Sequence, residues 1–169
     1  MTTDELIQKA SQNRLTRVIG TGRSGTKFMA KLLGLGHERF NCNGVSSCRR
    51  RHVEEDPRYF KLNVHAVRNP VDCISSLTTI TDRSWLEFLG WAKAAHTRAV
   101  EETLDMAITH YCARNMFCEL VSEVRVRIED LGDEKVNARS HQQLTVGVIE
   151  SRPMGTMALQ LGIKYGYTL

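Results

Sequence analysis

The sequence is poor in the features that mark several large protein classes. It has three prolines in 169 residues, with no Pro/Gly/Ser-rich tract, no linker and no internal repeat. A multidomain or low-complexity chain is therefore not expected, and residues 1–169 read as one domain. No apolar run approaches the roughly 20 residues of a membrane span. The N-terminal stretch MTTDELIQKA is acidic and has no apolar core segment, so it does not read as a secretory signal. Paired cysteines are also lacking. The five cysteines are an odd number and form no CxxC, which argues against a disulfide scaffold and fits a reduced, cytoplasmic setting. Cys42, Cys48 and His52 have no fourth ligand at a familiar spacing, so no metal is expected. Charge of one sign is scarce as well. The net charge of +4 suits a small anionic ligand and not long nucleic acid, which calls for a denser basic stripe.

What remains is an ordinary globular composition, 41% hydrophobic and 25% charged, enough to build one core. Residues 4–10 predict a short helix. Leu15 to Ile19 predicts a strand ending at Gly20. From Thr26, the residues Phe28, Met29, Leu32, Leu33 and Leu35 are spaced as on a helix that stops at Gly34 to Gly36. Residues 39–58 are polar and read as a long loop. "KLNVHAV" predicts a second strand, after which Pro70 opens a helix. Ser84 to Val121 reads as helical, with Trp85, Phe88, Leu89, Leu104, Ile108, Tyr111 and Phe117 at apolar positions. "VRVRI" alternates strictly and predicts a third strand. A final helix is expected from Thr156 to Leu161, ending at Gly162. Strand, loop and helix recurring in this order predict an α/β fold with a parallel sheet covered by helices.

The stretch "RVIGTGRSGTKFMA" carries the chemistry. Gly20 to Gly25 formally matches GxGxxG, but a dinucleotide fold wants an acidic residue ending a second strand about 20 positions on. Glu38 stands near that distance but follows a Gly-rich turn. GxxxxGK[ST] also nearly fits, except that Thr26-Lys27 reverses the order that places lysine on the β/γ-phosphates and a hydroxyl on magnesium. A strand, a glycine turn and a helix start still form an anion-binding arrangement. The second element is "VHAVRNPVDCISSL". It puts Arg68 at a strand end and Ser76 in the second turn of the next helix, a pair suited to a second phosphate.

Taken together, these motifs resemble the sulfotransferases that use 3′-phosphoadenosine 5′-phosphosulfate (PAPS), in particular small bacterial members. The 5′-phosphosulfate loop of that family reads [KR]-S-G-[TS]-[TS], here Arg23-Ser24-Gly25-Thr26-Lys27. Its 3′-phosphate motif R-[ND]-P-x-D-x-x-x-S is matched in full by Arg68, Asn69, Pro70, Asp72 and Ser76. Val126 to Leu131, "VRIEDL", resembles its R-x-E-D-L segment, read as a strand. Lys27 departs from the usual Ser or Thr, and the Gly-rich C-terminal motif is absent. "NARSHQQLT", with Arg139 and His141, is the candidate replacement.

The resemblance implies a P-loop-NTPase-like three-layer fold, PAPS as donor, no metal, and transfer of a sulfuryl group to a hydroxyl or amine. The acceptor is a small molecule, glycan or lipid. It implies that the Ser24, Gly25 and Thr26 amides and the Thr26 hydroxyl hold the 5′-phosphate. Arg23 is then the catalytic cation assisted by Lys27, and Arg68 and Ser76 bind the 3′-phosphate. For the base, Glu38 comes first, as in bacterial members with a Glu after this helix, then His37, then His65. His65 also reads as a hydrogen-bonded core histidine. The run Arg49-Arg50-Arg51 reads as solvated surface or as an anionic acceptor site. Two other classes stand beside this reading: a P-loop-type small-molecule kinase, and a degenerate, non-catalytic nucleotide-binding protein.

Overall fold

The computed structural model describes residues 2–13, 15–49, 52, 55–79, 100–131 and 144–169. The chain divides into two compact units. One comprises Met1–Arg68 and Asn115–Arg139, the other Asn69–Arg114 and Ser140–Leu169.

The first unit is built on a parallel sheet. It opens with α1 (Thr3–Gln12), started by a capping box: Thr2 Oγ1 accepts from the Glu5 amide and Glu5 Oε2 from the Thr2 amide. The strands are β1 (Thr16–Ile19), β2 (Gly36–His37), β3 (Gly44–Ser47), β4 (Leu62–Val67) and β5 (Val124–Arg127). Among the described residues they form one sheet in the order β2-β3-β1-β4-β5, with every pairing parallel. The expected α/β class with a helix-flanked parallel sheet is therefore found. Helix α2 (Thr26–Leu32) follows β1. One face of the sheet buries Val18, Val64, Ala66 and Val126 in a core with Leu6, Met29 and Leu35. Ile19, on the other face, packs with Phe117, Cys118 and Val121.

Two strands lie where the sequence reads as loop or turn. β3 falls inside the supposed 39–58 loop, and β2 occupies the Gly-rich turn after α2. Gly44 and the two serines of β3 have little intrinsic strand preference. Tertiary contacts hold them instead. A Cβ on Gly44 would lie 1.9 Å from the Thr16 carbonyl oxygen, so only glycine allows β1 and β3 to approach here. Ser46 Oγ donates to the Thr26 carbonyl at 2.6 Å. The third predicted strand also needs correction at its end. β5 stops at Arg127, and Ile128–Leu131 turns into a 3₁₀ helix. The turn tucks Ile128 beneath Gly25, where an added Cβ would meet Ile128 Cγ1 at 2.9 Å.

In the second unit, α3 (Pro70–Thr78) begins at Pro70 as expected, capped by Asn69 Oδ1, which accepts from the Val71 amide. Helix α4 (Val100–Val121) continues into the first unit from Asn115. Trp85, Phe88, Leu89 and Trp91 lie outside the described residues. A short helix that the sequence reading lacks, α5 (Val146–Glu150), is capped by the Thr145 side chain. The last helix, α6 (Gly155–Lys164), passes through Gly162 instead of ending there. Gly162 is needed inside it because a Cβ would lie 2.6 Å from Pro70 Cγ. Gly166, at φ +87°, follows the helix, and its amide donates to the Ile163 carbonyl.

Candidate functional site

In a parallel sheet, ligands gather at the carboxyl edge, where successive connections leave to opposite sides. β1 is that point in the first unit: its neighbours β3 and β4 lie on either side. The loop after β1 is Gly20 to Gly25. Gly20 is pinned, since a Cβ would fall 2.2 Å from Ser24 Oγ and 2.7 Å from the Ala66 carbonyl oxygen. Thr21 to Ser24 form a tight turn closed by the Ser24 amide on the Thr21 carbonyl at 3.1 Å. That turn holds Arg23 at φ +67° and is followed by Gly25 at φ +86°, a conformation that non-glycine residues adopt at a cost. The Ser24 amide is therefore engaged inside the loop. Thr21 and Ser24 are fully buried, and their hydroxyls have no hydrogen-bond partner among the described residues. The first turn of α2 has no side-chain cap. Thr26 is buried there and Lys27 is exposed.

Arg68 follows β4 at the same sheet edge, and its Nη1 donates to the Arg23 carbonyl at 3.3 Å. The two motif arginines of the first unit are thus brought together. Ser76 is buried on α3 within the second unit. Arg139 and His141 lie outside the described residues, as do Arg50 and Arg51.

Glu38 stands just beyond β2 in a left-handed backbone conformation, φ +58°. Its carboxylate is held on both oxygens. Oε2 accepts from Ser47 Oγ at 2.5 Å and lies 3.2 Å from Arg49 Nε. Oε1 accepts from the Cys48 amide at 3.1 Å and from Cys48 Sγ at 3.3 Å. His37 is exposed, with Nε2 4.0 Å from Glu38 Oε1. Behind Ser47 is buried His52, its Nδ1 2.9 Å from Ser47 Oγ. Neither Ser47 nor His52 is found by a motif. Cys48 and His52 serve this network, and among the described residues no group of three or more His, Cys, Asp or Glu is placed to hold a metal ion. All five cysteines are free thiols.

His52 is seated by Arg17, a charged residue with no exposed surface in the middle of the sheet. Arg17 Nε donates to Asn63 Oδ1 at 2.8 Å, and Nη1 to the carbonyls of Glu55 (2.7 Å) and His52 (3.3 Å). The guanidinium lies 4.7 Å from the centre of the Phe60 ring. Phe60 stacks on Phe40, whose ring meets that of His52 edge-on at 5.3 Å.

His65 has no exposed side towards this edge. Its Nε2 lies 2.9 Å from Asn115 Oδ1 on α4, inside the unit. Burial holds its imidazole down at about 4, against a smaller opposing pull from the Asn115 bond. This matches the core-histidine reading. The depressed value has a measurable consequence. Unfolded, the ring titrates near the ordinary value of about 6.5, so between 6.5 and 4 the unfolded chain binds the extra proton. The stability from burying neutral His65 is complete above pH 6.5 and drains away as the pH falls towards 4, by about 3 kcal/mol. Urea midpoints measured from pH 7 to pH 4 should fall accordingly, and His65→Gln should flatten the fall. An unchanged slope in that variant would contradict the assignment.

Among the described residues, no helix is long and apolar enough to cross a membrane. Compared with known proteins, the chain matches no family model, no curated protein and no solved structure.

Proposed function

We propose that the chain is a sulfotransferase that moves a sulfuryl group from PAPS to a hydroxyl or amine acceptor. The single observation that carries this reading is the Gly20–Gly25 loop. Two buried hydroxyls without protein partners, Thr21 and Ser24, lie in a loop bordered by Arg23 and Arg68 at the carboxyl edge of the sheet. Buried hydroxyls are normally satisfied, and leaving one unpaired costs about 1–3 kcal/mol. A tetrahedral oxyanion supplies the missing acceptors, and the Arg23 guanidinium supplies charge for it. The donor set is cationic and hydroxylic, which fits a phosphosulfate.

In this reading the loop grips the 5′-phosphosulfate and Arg68 takes the 3′-phosphate. Transfer is an in-line displacement. The acceptor oxygen or nitrogen forms a bond to sulfur as the bond from sulfur to the bridging phosphate oxygen breaks. The bisphosphate leaves with that electron pair, and the acceptor's proton passes to a base. Arg23 stabilises the charge growing on the leaving oxygen, with Lys27 on the next turn. Glu38 takes the proton. Its strained backbone and its fourfold grip keep the carboxylate in one place, which is what positioned proton transfer requires. The acceptor is a small molecule, a glycan or a lipid.

Preference for the 3′,5′-bisphosphate product over Mg·ATP is the test. Micromolar or tighter binding of 3′-phosphoadenosine 5′-phosphate with weak ATP binding supports the reading. The opposite preference returns the loop to the kinase class.

A further inference from the structure

The hydrogen count at Ser47 constrains the proton states of its neighbours. Ser47 Oγ has one hydrogen and two lone pairs. Three groups surround it: Glu38 Oε2 at 2.5 Å, the Arg49 amide at 2.9 Å and His52 Nδ1 at 2.9 Å. The Arg49 amide can only donate. With Glu38 ionised, the Ser47 hydrogen goes to the carboxylate and the remaining lone pair must receive a hydrogen from Nδ1. The short Ser47–Glu38 distance is that of a charge-assisted bond. Ser47 has no exposed surface and His52 is 4% exposed, so water does not compete for these bonds.

We propose that Ser47 joins Glu38 and His52 into one coupled site, in which the Nδ1 hydrogen of His52 fixes Ser47 as a donor to Glu38 and so orients the carboxylate. With Nδ1 carrying its hydrogen, both Ser47 lone pairs are filled and the serine hydrogen is left for Glu38 Oε2. On its other side His52 lines an open pocket of about 490 Å³ with Arg39, Phe40 and Glu55. Ser47 and His52 are positioning residues for Glu38. The use of this site in turnover rests on the sulfotransferase reading, but its existence does not.

Charged and titratable groups surround the site among the described residues. Glu38 faces Arg49, Cys48 and, at 4.0 Å, His37. His52 has the Phe40 ring at its edge, Arg17 on its carbonyl and Glu55 in its pocket. Ser47 bridges the imidazole nitrogen to the carboxylate.

The test is ¹⁵N NMR of the full chain labelled at its six histidines, with His52 assigned through His52→Gln. The wild type should show neutral His52 with its hydrogen on Nδ1. Glu38→Gln should lower the His52 titration midpoint by roughly one pH unit, the effect of removing a nearby negative charge. Ser47→Ala keeps both charges but removes the bridge, and should abolish the Nδ1 preference. Neutral His52 protonated on Nε2 in the wild type, or a midpoint indifferent to Glu38→Gln, overturns the proposal. If Ser47→Ala fails to fold, the wild-type tautomer and the Glu38→Gln shift decide alone. No nucleotide is needed, so a chain that binds no bisphosphate still reports on this site, and the two readings fail separately.

Discussion

Arg17→Ala should lose about 3–5 kcal/mol of stability, because it leaves several buried acceptors unsatisfied at about 1–3 kcal/mol each. Among the described residues, the guanidinium donates to Asn63 and to the carbonyls of His52 and Glu55. Bonds from a charged donor contribute about 1.5–3 kcal/mol each. The alanine variant also leaves a cavity beside Phe60 and strands the Asn63 carbonyl oxygen. Arg17→Lys should recover little, because one ammonium cannot span acceptors arranged for a planar fork. Urea unfolding of the three proteins checks this, and a loss under about 1 kcal/mol in Arg17→Ala would show the network to be dispensable. The same variant should loosen His52, whose carbonyl Arg17 holds. A fold-level residue thus reaches the candidate site through one bond.

Gly20→Ala should be the most damaging one-carbon change in the binding loop. The new methyl would sit 2.2 Å from Ser24 Oγ and 2.7 Å from the Ala66 carbonyl oxygen. The serine side chain can swing away, but the backbone of β4 cannot. The loop must therefore move, at about 1–3 kcal/mol or more, and bisphosphate affinity should fall at least about tenfold, or 1.4 kcal/mol. Gly147→Ala is the matched control. Nothing lies within 4 Å of a Cβ there, and the position is inside α5. It should be neutral or stabilising by up to about 1 kcal/mol. Equal behaviour of the two variants would contradict the close-packed description of the loop.

The sequence shows the parts of this fold that depend on local pattern. β1 and β4 are apolar and β-branched runs ended by Gly20 and Pro70, and β5 alternates as a half-buried strand must. β2 and β3 escape because two residues make no period, and because "GVSS" becomes a strand only through Gly44's close approach to β1 and the Ser46 and Ser47 side-chain bonds. "IEDL" reads as extended because nothing in its composition reveals that Ile128 must turn under Gly25. At the site, Arg23, Arg68 and Glu38 stand at recognisable offsets from strand ends. Ser47 and His52 do not, since their partners come from the fold. Arg17 sits in a strand as an ordinary-looking polar residue, and its complete burial appears only when Asn63 and the carbonyls of His52 and Glu55 close over it.

The central claim is that the Gly20–Gly25 loop and Arg68 form the donor site. Calorimetric titration of wild type and Arg68→Ala with 3′-phosphoadenosine 5′-phosphate, AMP and Mg·ATP tests it most directly. The account predicts a wild-type Kd for the bisphosphate at or below about 1 μM, near −8 kcal/mol, with AMP and ATP much weaker. Arg68→Ala should lose at least about 2 kcal/mol towards the bisphosphate, the worth of a charge-assisted contact, and little towards AMP. Wild-type protein that binds AMP as tightly as the bisphosphate, or an Arg68→Ala variant that binds the bisphosphate unchanged, would contradict the account.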